Sequence, residues 1–248
     1  MTPPNDPVLT VLLFTSLAAA AAAAGAIPFA LRTPVPMEWL GCAYALASGL
    51  MLGAGYLLMA EGLLRHPPLI TTLGAGLGVA YTYWTHAYSG TEEIETLPGG
   101  EVEEAAGYKL ILLNTLHSAS EGVAIGTAMV VSLRLGIFLA LALAVHNAAE
   151  GMALTNVLRG RRMPLGASAV LCVVTNAPQV LLAVAAFAVV RAAGGLLPWA
   201  LGFSAGALVY LVLTELLPDS YRRAGRTCIA ALVSLSAGLL VLLKGYWG

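Results

Sequence analysis

Long apolar runs divide this chain, and no other feature restricts its fold as severely. A helix crosses a bilayer with roughly 20 mostly apolar residues. Eight stretches meet that length: 8–30, 38–63, 69–88, 107–130, 135–157, 165–190, 197–217 and 227–246. Lipid offers no water to satisfy a bare N–H or C=O, so each such run has to be helical. Composition agrees: 10% of the 248 residues are charged and 59% are hydrophobic, where a soluble domain carries about a quarter charged residues. The expected fold class is all-α, a polytopic membrane helix bundle of eight transmembrane helices forming one domain over 1–248.

Short separators with prolines or basic residues divide the runs, among them Arg32 to Pro36, Arg65 to Pro68 and Arg159 to Pro164. The exception is 89–106, SGTEEIETLPGGEVEEAA, which has six glutamates and no apolar periodicity. It reads as a solvated acidic loop. Most basic residues fall in the odd-numbered loops, including Arg32, Arg159, Arg161, Arg162, Arg222, Arg223 and Arg226. Basic residues favour the cytoplasmic side, which puts the acidic loop inside and both termini outside. A net charge of −1 gives no reason to expect nucleic acid as a partner. The start, MTPPNDPVL, lacks a basic n-region, so no cleaved signal peptide is expected. Cys42, Cys172 and Cys228 sit singly in apolar runs, which argues against a disulfide framework or a thiolate metal site.

Glycines cluster where helices should approach closely: Gly49, Gly53 and Gly55, then Gly74, Gly76 and Gly78, then Gly202 and Gly206. Small residues at helical spacing let backbones meet in lipid. Packing within one bundle explains them, and a homodimer stays open.

Two glutamates lie inside apolar spans instead of in the acidic loop or near a span end. Glu121 and Glu150 each have a histidine four residues earlier and a glycine immediately after: His117-Ser-Ala-Ser-Glu121-Gly122 and His146-Asn-Ala-Ala-Glu150-Gly151. Spacing of four puts both side chains on one helix face. Two antiparallel neighbours can then aim two imidazoles and two carboxylates at one point, a donor set for Zn²⁺, Fe²⁺, Mn²⁺, Co²⁺ or Ni²⁺. Helix-to-helix hydrogen bonding is the alternative. Yet a charge in lipid costs at least about 2.5–3.5 kcal/mol, and two carboxylates in one layer repel unless a cation joins them.

Weaker polar positions surround this pair. Asn114 reads as a further ligand or an orienting partner, Ser118 as an orienting or pathway residue, Asn147 as facing the same cavity or a neighbouring helix, and Asn176 and Gln179, either side of Pro178, as pathway lining or a polar kink. Glu61 and Glu215 lie near span ends, either at a pathway mouth or as interfacial carboxylates. His86 with Glu92, Glu93, Glu95, Glu101, Glu103 and Glu104 is either a metal-gathering cluster or the edge of a plain acidic linker.

With HSASEG and HNAAEG in consecutive spans, the chain resembles the ZIP (ZRT/IRT-like) metal transporters, in particular their bacterial members. The segments SGLMLGAGYLLMAEG and SAGALVYLVLTELLP are weaker echoes. The resemblance implies that His117, Glu121, His146 and Glu150 hold the transported metal. It also implies a 3+2+3 arrangement, inverted repeats around a central helix pair. The chain departs from the family pattern at Ser120 and Ala149, where prolines are usual, and at Ser118, Asn147 and Ala177. The expectation is therefore one metal rather than a binuclear centre.

The expected function is transport of a divalent transition metal, zinc foremost, toward the cytoplasm across the cell membrane, with the lipid bilayer as surroundings and no enzyme cofactor. The alternative is an intramembrane zinc-dependent hydrolase, which needs an open coordination position and a free general base.

Overall fold

The computed structural model describes residues 6–32, 34–89 and 104–247. Eight helical rods account for nearly all of these, with no strand among the described residues: α1 (Pro7–Leu31), α2 (Met37–Arg65), α3 (Pro68–Ser89), α4 (Glu104–Val131), α5 (Leu133–Gly160), α6 (Leu165–Ala192), α7 (Gly194–Arg223) and α8 (Arg226–Trp247). Each apolar stretch of the sequence falls within one rod. Six rods, all except α3 and α4, are long and apolar enough over the described residues to cross a membrane. The acidic segment lies almost wholly outside the described residues, with 104–106 opening α4.

Three rods are irregular, each just before or around a proline. α1 tightens to a 3₁₀ turn over Ala21–Ala26 before Pro28. α6 breaks at Asn176, two residues before Pro178. α7 widens to a π turn over Val212–Leu216 before Pro218. Proline has no N–H to donate, and its ring collides with the carbonyl four residues back, so the preceding turn must change pitch. The motif rods α4 and α5 have Ser120 and Ala149 instead, and both run through their motifs as unbroken α-helix.

Packing sorts the rods into four close pairs, α1–α5, α2–α8, α3–α7 and α4–α6. Glycine creates each seam. A Cβ at Gly78 would collide with the Phe203 carbonyl, and one at Gly202 with the Thr71 carbonyl. Gly122 lies against the Gln179 backbone, Gly151 against Ala22, and Gly49 against Val233 and Ser236. Successive contacts advance together along both members: Gly74 meets Trp199 and Gly78 meets Phe203; Gly122 meets Gln179 and Gly126 meets Ala183. Likewise Gly49 meets Val233 and Gly53 meets Ala237, while Ala18 meets Asn147 and Ala22 meets Gly151, so all four pairs are parallel.

α5 is the central rod, with 72% of its apolar window buried, against 17% for α8. The main core joins Met51, Leu58, Ile125, Leu139, Leu143 and Leu208. Outward, α8 presents Leu235, Leu239 and Leu242, each more than half exposed. An apolar surface of this kind suits lipid and would drive association in water.

The α2–α8 seam also carries two thiols. Gly49 faces Val233 and Ser236, and Gly53 faces Ala237 and Leu240. Nearer the starts of both rods, Cys42 and Cys228 are side-chain neighbours across the same seam. Cysteine spacing gave no sign of this, because the neighbours are 186 positions apart. Mild oxidation should join them, lowering the thiol titre of the denatured protein by two, with buried Cys172 unreacted and Cys228→Ser abolishing the effect. An unchanged titre would contradict the α2–α8 register.

Candidate metal centre

α4 and α5 meet at a one-residue connection, Ser132, whose hydroxyl accepts from the Leu135 N–H at 3.1 Å and caps α5. The two motifs therefore lie on antiparallel neighbours at matching depth. Glu121, His146 and Glu150 converge there. His146 Nε2 is 2.8 Å from Glu121 Oε1 and 3.0 Å from Glu150 Oε1. Glu121 and His146 are fully buried, and Glu150 is 8% exposed.

These short distances are not made into good hydrogen bonds. Both Glu121 oxygens, both His146 nitrogens and Glu150 Oε2 lack a well-directed partner among the described residues. Buried polar atoms are normally satisfied, since leaving one bare costs about 1–3 kcal/mol and more when charged. Two carboxylates and an imidazole that face one another without satisfying one another form a donor set suited to a cation. The ligand atoms lie within 4.8 Å of one another, close enough to share one ion.

His117 does not join this cluster. Its ring turns toward α3 and α7 instead, with His117 Nε2 at 3.0 Å from His86 Nε2 and His117 Nδ1 at 3.6 Å from Glu215 Oε2. His86 Nε2 is also 3.0 Å from Glu215 Oε1. His86, His117 and Glu215 make a second group of possible ligands within 4.8 Å. Glu215 reaches it from the π turn of α7, an irregularity frequent at functional sites. The motifs alone linked neither His86 nor Glu215 to His117; only the folded bundle joins them. The two groups share α4, with His117 and Glu121 one helical turn apart.

The remaining polar candidates mostly hold helices together. Asn114 Nδ2 donates to Thr175 Oγ1 at 2.9 Å, and the Ser118 hydroxyl donates to the Thr175 carbonyl at 3.0 Å. Both stitch α4 to the break in α6, where Asn176 Nδ2 donates to the Cys172 carbonyl at 2.9 Å. Asn147 Nδ2 donates to the Ala18 carbonyl at 2.9 Å and to Gln179 Oε1 at 2.8 Å, tying α5 to α1 and α6. Glu61 belongs to neither ligand group: Arg65 Nε sits at 2.7 Å and Lys244 Nζ at 3.2 Å. The glutamates at 92, 93, 95, 101 and 103 lie outside the described residues.

The family model described as ZIP Zinc transporter matches residues 86–243. A putative zinc transporter of Arabidopsis thaliana is 31% identical over 242 residues, 96% of this chain and 39% of the plant protein. The zinc transporter GufA of Myxococcus xanthus is 27% identical over 113 residues, 45% of this chain and 44% of that protein. The matched region spans less than half the length of either relative.

Proposed function

The chain belongs to the ZIP family of zinc transporters, and on that premise we propose that it carries a divalent transition-metal ion through the Glu121–His146–Glu150 cluster. It is a multi-pass integral membrane protein of a transporter family, and no enzymatic role is assigned to it. One observation carries the proposal: two buried carboxylates approach one imidazole without good hydrogen bonds. A metal ion would neutralise both acids and use the imidazole as its nitrogen donor.

In this reading all eight rods cross the bilayer, three on either side of the central pair α4 and α5. The parallel pairing supports it, because strict alternation of eight crossings makes α1–α5, α2–α8, α3–α7 and α4–α6 all parallel. Both termini then lie outside the cell and the acidic segment inside, as the basic loops suggest. Transport runs inward. The ion sheds water at the deep cluster, passes one turn along α4 to His86, His117 and Glu215, and leaves toward the acidic segment. Zinc is the favoured cargo, since both relatives carry zinc in their names, one as a zinc transporter and one as a putative zinc transporter. The ligands must be deprotonated to bind, so acid should weaken the hold and assist release. Rearrangement of one helix group against another would expose the site alternately to the two sides.

The hydrolase alternative has no supporting observation, because both deep carboxylates already face His146 and neither is a free general base. The test is uptake into sealed proteoliposomes from zinc, manganese, iron, cobalt, nickel and cadmium, with wild type beside His117→Ala and Glu150→Ala. Wild-type uptake of at least one metal, lost or sharply reduced in Glu150→Ala, is expected. Equal flux in all three proteins would remove the site.

A further inference from the structure

Apart from both ligand groups, the ends of four rods border a partly open cavity of about 260 Å³. It is bounded by the last turns of α2 and α8 and by the turn from α4 to α5. Three cations line it, Arg65, Arg134 and Lys244, against one carboxylate, Glu61. The carboxylate is already engaged: its side chain is 9% exposed, with Arg65 Nε at 2.7 Å and Lys244 Nζ at 3.2 Å. Arg134 is exposed and makes no ion pair among the described residues. It stands in the first turn of the 28-residue α5, where the helix dipole adds positive potential.

The site is thus positive by two charges. A metal cation would be repelled there, and an oxyanion attracted. The wall below the cations is apolar, formed by Val131, Leu135 and Phe138. A free phosphate gains nothing from such a wall, whereas a phosphate that carries acyl chains does. The pocket also sits at helix ends, the level at which lipid headgroups meet a spanning bundle. Arginine and lysine side chains bind phosphate oxygens through short, charge-assisted hydrogen bonds, which suits the pocket to a phosphate-bearing headgroup.

We propose that this cavity binds the headgroup of an anionic phospholipid, its phosphate against Arg134, Lys244 and Arg65 and its proximal acyl carbons against Phe138 and Leu135. The proposal is independent of the transport reading, since it uses no residue of either ligand group.

The test uses the full chain purified in detergent, titrated with phosphatidylglycerol, phosphatidylcholine or inorganic phosphate. Native mass spectrometry and thermal unfolding supply the readouts. Phosphatidylglycerol should be retained and should raise the unfolding temperature more than the zwitterionic lipid does. Arg134→Gln should weaken phosphatidylglycerol binding about fivefold, the size expected for one basic side chain near a charged membrane surface. Arg191→Gln, which neutralises an arginine at the end of α6, should leave binding unchanged. Equal effects of the two lipids, or undiminished binding in Arg134→Gln, would overturn the assignment. So would an equal loss in Arg191→Gln. Inorganic phosphate matching the lipid at the same concentration would identify a small-oxyanion site and overturn the lipid assignment too.

Discussion

Glu121→Gln should abolish zinc-dependent stabilisation and uptake while leaving the metal-free protein at least as stable as wild type. Glutamine keeps the shape of the side chain and removes its charge. Glu121 is fully buried and neither oxygen makes a good hydrogen bond among the described residues, so in the metal-free state it is a liability. An ionised group inside the bilayer costs at least about 2.5–3.5 kcal/mol on the insertion scale. Neutralising it relieves that cost. Zinc at 100 times its Kd should stabilise the wild type by about 2.7 kcal/mol through mass action, and the variant by almost nothing. Loss of a direct ligand should weaken binding by more than the roughly 100-fold upper range seen for outer partners.

His86→Ala is the informative comparison. It removes a member of the second group and leaves Glu121, His146 and Glu150 intact, so zinc should still bind the purified protein while uptake slows. Thermal unfolding with and without zinc, beside proteoliposome flux, reads both quantities. If Glu121 served only to hold helices, Glu121→Gln would lower metal-free stability and leave the zinc response unchanged. That outcome would end the metal assignment.

A second large effect is expected from two glycines two residues apart on α3. Gly78→Ala should sharply lower the yield of folded protein, and Gly76→Ala should raise stability slightly. Alanine is favoured over glycine in a helix interior by about 1 kcal/mol. At Gly76 a Cβ meets nothing within 4 Å, so this gain is realised. At Gly78 a Cβ would overlap the Phe203 carbonyl and crowd the Ala207 nitrogen, both of them backbone atoms that no rotamer change can move. The whole α3–α7 seam would have to separate, and overpacking typically costs about 1–3 kcal/mol, occasionally more. The monodisperse fraction after size-exclusion chromatography, with the unfolding temperature, checks both signs. Equal behaviour of the two variants would contradict the seam.

Much of the fold is legible in the sequence because lipid imposes one rule on every span. The eight apolar stretches each fall inside a rod, and the proline-linked breaks at Asn176 and before Pro218 follow from local chemistry. The candidate site is less legible, for a geometric reason. Residues four apart on a helix share a face but stand about 6 Å apart along the axis. Whether their side chains close that gap depends on the neighbours. On α5, His146 and Glu150 close to 3.0 Å because Glu121 faces them from α4. On α4, His117 instead turns toward His86 and Glu215, supplied by α3 and α7. The same spacing thus has two outcomes, and the difference lies 31 and 98 positions away along the chain. Asn114 and Ser118 show a related ambiguity. Asn114 suits a ligand and Ser118 an orienting or pathway position, yet the α6 break offers them the Thr175 hydroxyl and carbonyl as partners.

The unbroken course of α4 and α5 through their motifs also limits how an ion can escape. A site on a kinked helix can open by unwinding a turn; a site on two straight rods cannot. On the proposed transport reading, the deep cluster would travel as a stiff unit, with compliance coming from the altered turns of α1 and α6 that rest against it and of α7 beside His117. Stiffening one of those flanking joints should arrest movement of the cargo while leaving its cradle whole.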